Sequence, residues 1–533
     1  MRVAAANATW VASCWPEWQR FKKSAKNAES VQTAILSRCL EANKDTEFGT
    51  RHRFGSIRTP EDYRVQVPLS EYDDYVEPID RIARGHLSVL TAEPVRMFEL
   101  SSGSTASSKL IPYTSSLKAE FQRGISPWIF NLYTGMPELA GGQAYWSITP
   151  LLEGKRFTQS GIPIGFDADS DYLGMLGKWL VNSVLAVPNA VKEISNIETF
   201  RYVTLLHLLR QADLRLISVW NPTYLSLLLD SLSPYWESLL KDISLGTISP
   251  PTEYSDLRFQ LSPQQKRAQA LATISPMEYE KIWPALKLIS CWADGPSSLY
   301  VDRLRDNFPG TAFQGKGLIA TEALVSFPLL GLDGAVLSIN SHFYEFIPTE
   351  GGEPLLAHQL SKGQSYYVVV TTGGGLYRYQ LHDVVRVVGF WEQLPCFQFV
   401  SKADHISDWF GEKLDERFVA QIARDIFAEY GIEPIFALLA PEDDPEGFLY
   451  VLYLESQFAP EGLAGRLDQA LRSNFHYDYC RKLGQLAALR VVQVSNGASN
   501  YLRGCEARGQ RLGNIKPSIL RKETGWSNWL RDN

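Results

Sequence analysis

The sequence predicts an α/β protein in which a large N-terminal domain with mixed and parallel sheets precedes a small α+β domain. Three observations point there. Apolar, strand-like segments at 214–219 and 286–292 alternate with helical stretches, the pattern of parallel strands joined by crossover helices. Two β-branched runs, 366–372 and 384–388, flank a triple glycine and read as strands with an irregular connection. After Glu392-Gln393-Leu394-Pro395 the elements become shorter, which sets a boundary near Pro395 and domains of 1–394 and 395–533. At 533 residues the chain is in any case too long for one core.

Composition narrows the class of protein. Hydrophobic residues at 45% and charged residues at 21% describe a water-soluble globular chain, and a net charge of −7 argues against nucleic acid or an anionic membrane as partner. Six scattered cysteines form no C-x-x-C pair, so reduced thiols and a cytoplasmic setting are expected. No apolar run reaches the length of a membrane span, and the N-terminus lacks a signal-peptide core. The 14 Trp, 24 Tyr and 25 Phe are enough to line apolar pockets as well as cores.

Taken in order, residues 28–43 carry apolar positions at helical spacing, 45–66 are rich in turns, and 72–85 read as a helix ended by Gly85. Next comes Ser101-Ser102-Gly103-Ser104-Thr105-Ala106-Ser107-Ser108-Lys109, small residues and a lysine between two strand-forming segments. Such a loop exposes backbone N–H groups to a polyanion, while its hydroxyls and Lys109 add donors and charge. A flexible linker is the plainer reading, but linkers are seldom flanked so closely by strands. The P-loop pattern fails, since Ser108 stands where its second glycine would be. Stretches 122–133 and 172–185 are aromatic- and leucine-rich; either can line an apolar pocket, though core helices suit them better. Residues 200–243 are helical around the strand at 214–219. The C-terminal part reads as a strand at 396–400, a helix at 413–430, strands at 434–440 and 448–454, a helix at 460–475 and a strand at 489–494.

Four further signals are weak one by one. Gly315-Lys316-Gly317-Leu318-Ile319-Ala320 matches G-x-G-x-x-A, but no acidic residue follows at the spacing a dinucleotide fold needs. Thr321-Glu322 offers a hydroxyl beside a carboxylate, suited to Mg²⁺ near phosphate; a helix-start threonine and a solvated glutamate weigh more on the residues alone. Asp383, at a strand edge, can accept ribose hydroxyls or be a turn residue. Lys516 lies in a glycine- and proline-bounded loop near the C-terminus, where a lysine is usually only solvated. No histidine pattern suggests zinc, and G-x-S-x-G is absent.

Their order along the chain resembles the auxin-responsive-promoter (Gretchen Hagen) family of acyl-acid amido synthetases, a branch of the adenylate-forming ligases. Asn43-Lys44-Asp45-Thr46-Glu47-Phe48-Gly49 is similar to the family's opening motif. Ser101-Ser102-Gly103-Ser104-Thr105 resembles its first nucleotide motif, and Ala320-Thr321-Glu322 its second, with Phe343-Tyr344-Glu345 downstream. Thr371-Thr372-Gly373-Gly374-Gly375-Leu376-Tyr377-Arg378-Tyr379 with Asp383 resembles its third. The resemblance implies an adenylate-forming fold with a mobile C-terminal domain. It implies that Ser101, Ser102, Gly103, Ser104 and Thr105 grip ATP phosphates, Glu322 helps hold Mg²⁺, Thr321 and the Phe343/Tyr344 pair lie near adenine, and Asp383 binds ribose. Lys516 becomes the mobile catalytic lysine, and Lys402 and Asp404 the hinge. The implied reaction is ATP-dependent adenylation of a small carboxylic acid, then transfer to an amine such as an amino acid, by a monomer. A thioester-forming ligase and a nucleotide binder without catalysis stay open as alternatives.

Overall fold

The computed structural model describes residues 2–101, 109–147, 156–165, 183–194, 196–252, 259–294, 297–402, 406–445, 447–510 and 515–530. An antiparallel hairpin of β1 (Met97–Ser101) and β2 (Lys109–Tyr113) carries the serine-rich connection, with Ser101 opposite Lys109. The sequence reading held no element at the N-terminus, but Arg2–Ser24 is a helix. Its buried residues Trp10, Cys14 and Phe21 share a core with the helix Ser115–Gly135, and the rings of Trp10 and Tyr133 meet edge-on. The turn-rich stretch after residue 45 also contains short helices, Glu47–Arg51 and Pro60–Gln66, each started by a threonine cap.

β3 (Gln143–Trp146), β4 (Leu214–Ser218), β5 (Leu288–Cys291) and β6 (Ala312–Gly315) lie side by side in that order, all parallel. Successive side chains point to opposite faces. Ala144, Leu216 and Leu288 enter the core shared with the helix Ser115–Gly135, whereas Tyr145, Ile217 and Ile289 enter a second core under the helices Ile197–Leu209 and Leu232–Leu245. Both faces are covered, which is why these strands read as apolar runs.

The second large sheet is antiparallel throughout. Its strands β7 (Ser326–Pro328), β8 (Ala335–Leu337), β9 (Phe343–Pro348), β10 (Ser365–Thr371), β11 (Tyr379–Trp391) and β12 (Leu394–Lys402) are ordered β9-β10-β11-β12-β8-β7. β12, read from sequence as the first strand of the C-terminal unit, instead pairs along its length with β11 and also with β8. The chain therefore leaves this sheet at Lys402. Beyond it, β13 (Phe436–Asp444), β14 (Gly447–Glu455) and β15 (Arg490–Gln493) form a small sheet with cores of its own. The helices Glu416–Tyr430 and Leu463–Leu471 stand where the periodicity placed them; Phe475–Lys482 and Gly497–Ala507 were not foreseen.

The triple glycine between β10 and β11 is a tightly seated strap. A Cβ on Gly374 would lie 2.7 Å from the carbonyl oxygen of Pro112, and Gly375 adopts φ +93° against Leu90. Glu120 accepts from the N–H of Gly373 and pairs with His342 Nδ1 at 2.8 Å. Arg378, at φ +50°, then drives its guanidinium onto the buried carboxylate of Glu345 at 2.8 and 3.1 Å, where Arg64 joins at 3.0 Å. Removing that carboxylate would strand two cations in a dry interior. Glu345→Ala is expected to lower stability by about 3–5 kcal/mol, read as an earlier midpoint in urea unfolding; an unchanged midpoint would show that solvent or another acid compensates.

Candidate active site

Tyr72 supports the hairpin from below, its Oη accepting from Leu110 N at 2.7 Å. The Lys109 ammonium sits over the Tyr72 ring, 5.3 Å from its centroid. On the other side Tyr113 Oη donates to the carbonyl of Thr321 at 2.6 Å. Thr321 and Glu322 occupy the tip of a tight turn closed by Ala320 N to Ala323 O at 2.9 Å, not a helix start. Glu322 is buried at 8% exposure, which excludes the solvated-glutamate reading. Burial raises the phenols of Tyr72 and Tyr379, and the charge of Glu322 adds to both, so that carboxylate lies near both phenols.

Asp383 is not a turn residue. It lies within β11 where the pairing with β10 slips: Tyr367 faces Val384, while Val369 faces Gln380. The extra residues form a bulge in which His382 takes φ +58°. Asp383 is 1% exposed, and its Oδ1 is buried without a hydrogen-bond partner among the described residues. A buried acceptor of this kind is complete only when a donor arrives. Its charge, like that of Glu322, adds to the raised phenol of Tyr379, so both carboxylates lie near that residue.

Lys516 comes to the same region from the C-terminal unit. It lines a cleft of about 620 Å³ with Trp292, Asp294, Ile319, Phe399 and Glu416, part of that volume being open to solvent. Its ammonium lies 5.3 Å from the Trp292 ring centroid and 5.6 Å from that of Phe399. Ile319, two residues before Thr321, joins this cleft to the Glu322 turn. The lysine loop is tied from both units: Asn221 Nδ2 donates to Ile515 O at 2.9 Å and Tyr501 Oη to Lys516 O at 3.0 Å. Glu416 receives the hydroxyl of Ser518 and the N–H of Ile519.

Not every sequence-nominated residue joins this cluster. Tyr344 is wholly buried, and its hydroxyl donates into the interior, to Leu324 O and Ser338 O. On β9 it faces the core between His342 and Phe346, so it is a packing residue and not a nucleotide contact. Ser101 ends β1 and Lys402 ends β12 opposite Asp383, both placed by backbone alone. Ser102, Gly103, Ser104, Thr105 and Asp404 lie outside the described residues, as does most of the 172–185 stretch. The 122–133 stretch is part of the core helix Ser115–Gly135.

Sequence reasoning passed over Lys316. It lines the same cleft, is 2% exposed, and stands among the rings of Trp128, Trp146 and Trp220. Burial pushes its ammonium down to about 7. The signal was available: β3, β4 and β5 each run into a tryptophan at or just past the carboxyl end, Trp146, Trp220 and Trp292. Between about pH 7 and 10.5 the unfolded chain holds a proton at this site that the folded chain does not, so stability rises with pH there. Chemical unfolding at pH 7 and 9.5 is expected to show a smaller rise for Lys316→Met than for the natural protein; equal rises would mean that Lys316 titrates normally.

Asp383 on a strand bulge, the Glu322 turn, the hairpin with Lys109 and a lysine from a separate unit define the candidate site of an α/β protein. The architecture is that of an adenylate-forming ligase. A solved 2-hydroxyisobutyryl-CoA ligase in the postadenylation state superposes with TM-score 0.51 at 11% identity, over 87% of this chain and 86% of that one. The AtGH3.15 acyl acid amido synthetase in complex with 2,4-DB superposes with TM-score 0.84 at 19% identity, over 98% and 96%. The models of the GH3 family N-terminal, central and C-terminal domains match residues 17–313, 335–402 and 425–524, and the chain belongs to the GH3 family. Indole-3-acetic acid-amido synthetase GH3.3 of Arabidopsis thaliana is 26% identical over 425 residues, 74% of this chain and 71% of that protein.

Proposed function

We propose that this protein adenylates a small carboxylic acid with ATP and passes the acyl group to the amine of an amino acid. The observation that carries the reading is the cleft that Lys516, from one unit, lines together with Trp292, Ile319 and Phe399 of the other, Ile319 standing two residues before the Thr321–Glu322 turn. Membership of a family whose named relatives join acids to amines through amides supports it.

The chemistry follows from the residue types. A substrate carboxylate oxygen attacks the α-phosphorus of ATP, forming an acyl–phosphate bond and expelling pyrophosphate. The amine nitrogen then attacks the acyl carbon, AMP leaves with the bonding pair, and the nitrogen loses its proton. Asp383 accepts the ribose hydroxyls, meeting the need of its unpartnered oxygen. Lys109 and the hairpin steady the phosphates, and Lys516 offsets charge growing on the reacting carboxyl. Mg²⁺, when bound, neutralises phosphate charge, and Glu322 would hold it. Among the described residues no three metal-ligating side chains cluster, which suits an ion held by one carboxylate and substrate oxygens. The C-terminal unit turns about Lys402–Asp404 between the two half-reactions and keeps water from the adenylate. The same reading makes the protein a cytoplasmic monomer, in keeping with six free cysteines.

Carboxylate-dependent exchange of labelled pyrophosphate into ATP tests the first half-reaction, and mass spectrometry of products with added amino acid or thiol tests the second. Exchange and an amide are expected; a thioester, or no exchange with any acid, would overturn the reading. Lys516→Ala is expected to slow exchange by about a hundred- to a thousand-fold while ATP still binds, as judged by thermal shift. Unchanged exchange would remove that lysine from the mechanism.

A further inference from the structure

The activation chemistry uses Lys516 but leaves Lys316 unexplained. At the carboxyl ends of β3 to β6, one face of the parallel sheet is built in two tiers. Trp146, Ser218, Ser290 and Gln314 are cross-strand neighbours in register and form the first. Trp220, Trp292 and Lys316 each stand two residues further along and share that face, with Trp292 N bonded to Trp220 O at 2.8 Å. Trp128, from the helix Ser115–Gly135, covers the tiers by donating to Gln314 Oε1 at 3.1 Å. Open α/β sheets hold their ligands in this position, outside the carboxyl ends of the strands.

Donors on this face outnumber acceptors. The Lys316 ammonium lies 5.3, 5.5 and 4.9 Å from the ring centroids of Trp128, Trp146 and Trp220, and donates to Ser218 Oγ at 2.6 Å. Among the described residues no carboxylate pairs with it. The indole Nε1 of Trp146 and the hydroxyl of Ser290 are both buried and have no hydrogen-bond partner among the described residues. A buried amine without a counter-ion, beside two unanswered donors, holds its proton at low cost only when an acceptor comes from outside. Lys316 and Lys516 line the same cleft, Lys316 against the ring of Trp220 and Lys516 against that of Trp292, and the two rings lie 5.9 Å apart.

We propose that the acid handled by this protein is a dicarboxylic acid, one carboxyl being activated beside Lys516 while the second is held by Lys316, with Trp146 and Ser290 donating to it. The proposal rests on the acid-activating reading above and names its substrate class. Bound this way, the far carboxylate supplies the missing acceptor and counter-charge, and the indole faces confine the linking carbons.

The test compares linear and aromatic dicarboxylic acids with their half-methyl esters, which keep the length but lose the second charge. In pyrophosphate exchange the diacid is expected to exceed its half-ester in kcat/KM by about tenfold or more, mostly through KM. Lys316→Met is expected to bring that ratio near one, and the milder Ser290→Ala to reduce it. Titration of tryptophan fluorescence with diacid and half-ester, without ATP, reads the same preference in the natural protein and needs neither variant to fold nor exchange to occur. Equal handling of diacid and half-ester by the natural protein in both assays, or a ratio unmoved in a folded Lys316→Met, would overturn the proposal. Diacid-selective quenching with no exchange from any acid would uphold the subsite and count against the activation reading instead.

Discussion

The buried pairing of Arg378 with Glu345 fixes the piece of backbone on which the rest of the site depends. Arg378 closes the strap between β10 and β11, and the strand that begins one residue later carries Tyr379 and Asp383. A left-handed arginine that places its guanidinium on a carboxylate of β9, with Arg64 on the same carboxylate, leaves the strap little freedom. Glu120 and the close approach of Gly374 to Pro112 hold its other half. The glycines are therefore there for proximity: any side chain would lift the strap from β2 and from the helix beneath it.

From that anchorage the site divides between layers. The hairpin, the strap and the Glu322 turn supply acceptors, donors and charge suited to a nucleotide. The carboxyl ends of the parallel sheet supply an aromatic chamber with one buried lysine at its side. The C-terminal unit contributes Lys516 through a loop bonded both to its own Tyr501 and to Asn221 of the large unit. Asn221 also caps the helix Pro222–Asp230, so the docking contact is made by a side chain that local structure already holds in place. Lys402, the last residue of β12, lies opposite Asp383, so the proposed hinge starts next to the proposed ribose site.

Much of this was legible in the sequence because local rules and the fold agree. The apolar runs at β4 and β5 announced buried parallel strands, and the helix at 416–430 followed its amphipathic spacing. Order along the chain nominated Glu322, Asp383 and Lys516 where no single motif did. What escaped depended on partners distant in sequence. Nothing local distinguishes Tyr344, which packs inward, from an exposed aromatic on an alternating strand. The N-terminal helix has a weak pattern of its own and is defined by the aromatic residues it meets on the helix Ser115–Gly135. Lys316 looked like the filler of a glycine motif, and only the register of four strands brings three indoles around it. β12 was assigned to the wrong side of the boundary because a composition change marks where elements shorten, not where pairing ends.

The central claim is that two units of the chain close on one activated acid, and hydrogen exchange with an adenylate mimic tests it most directly. Adenosine propyl phosphate, an alkyl ester of AMP, is expected to slow amide exchange both around Tyr379 and Asp383 and in the 515–519 segment, separate stretches that share no strand. Protection of the first segment alone would contradict the account, since Lys516 would then have no part in holding the intermediate.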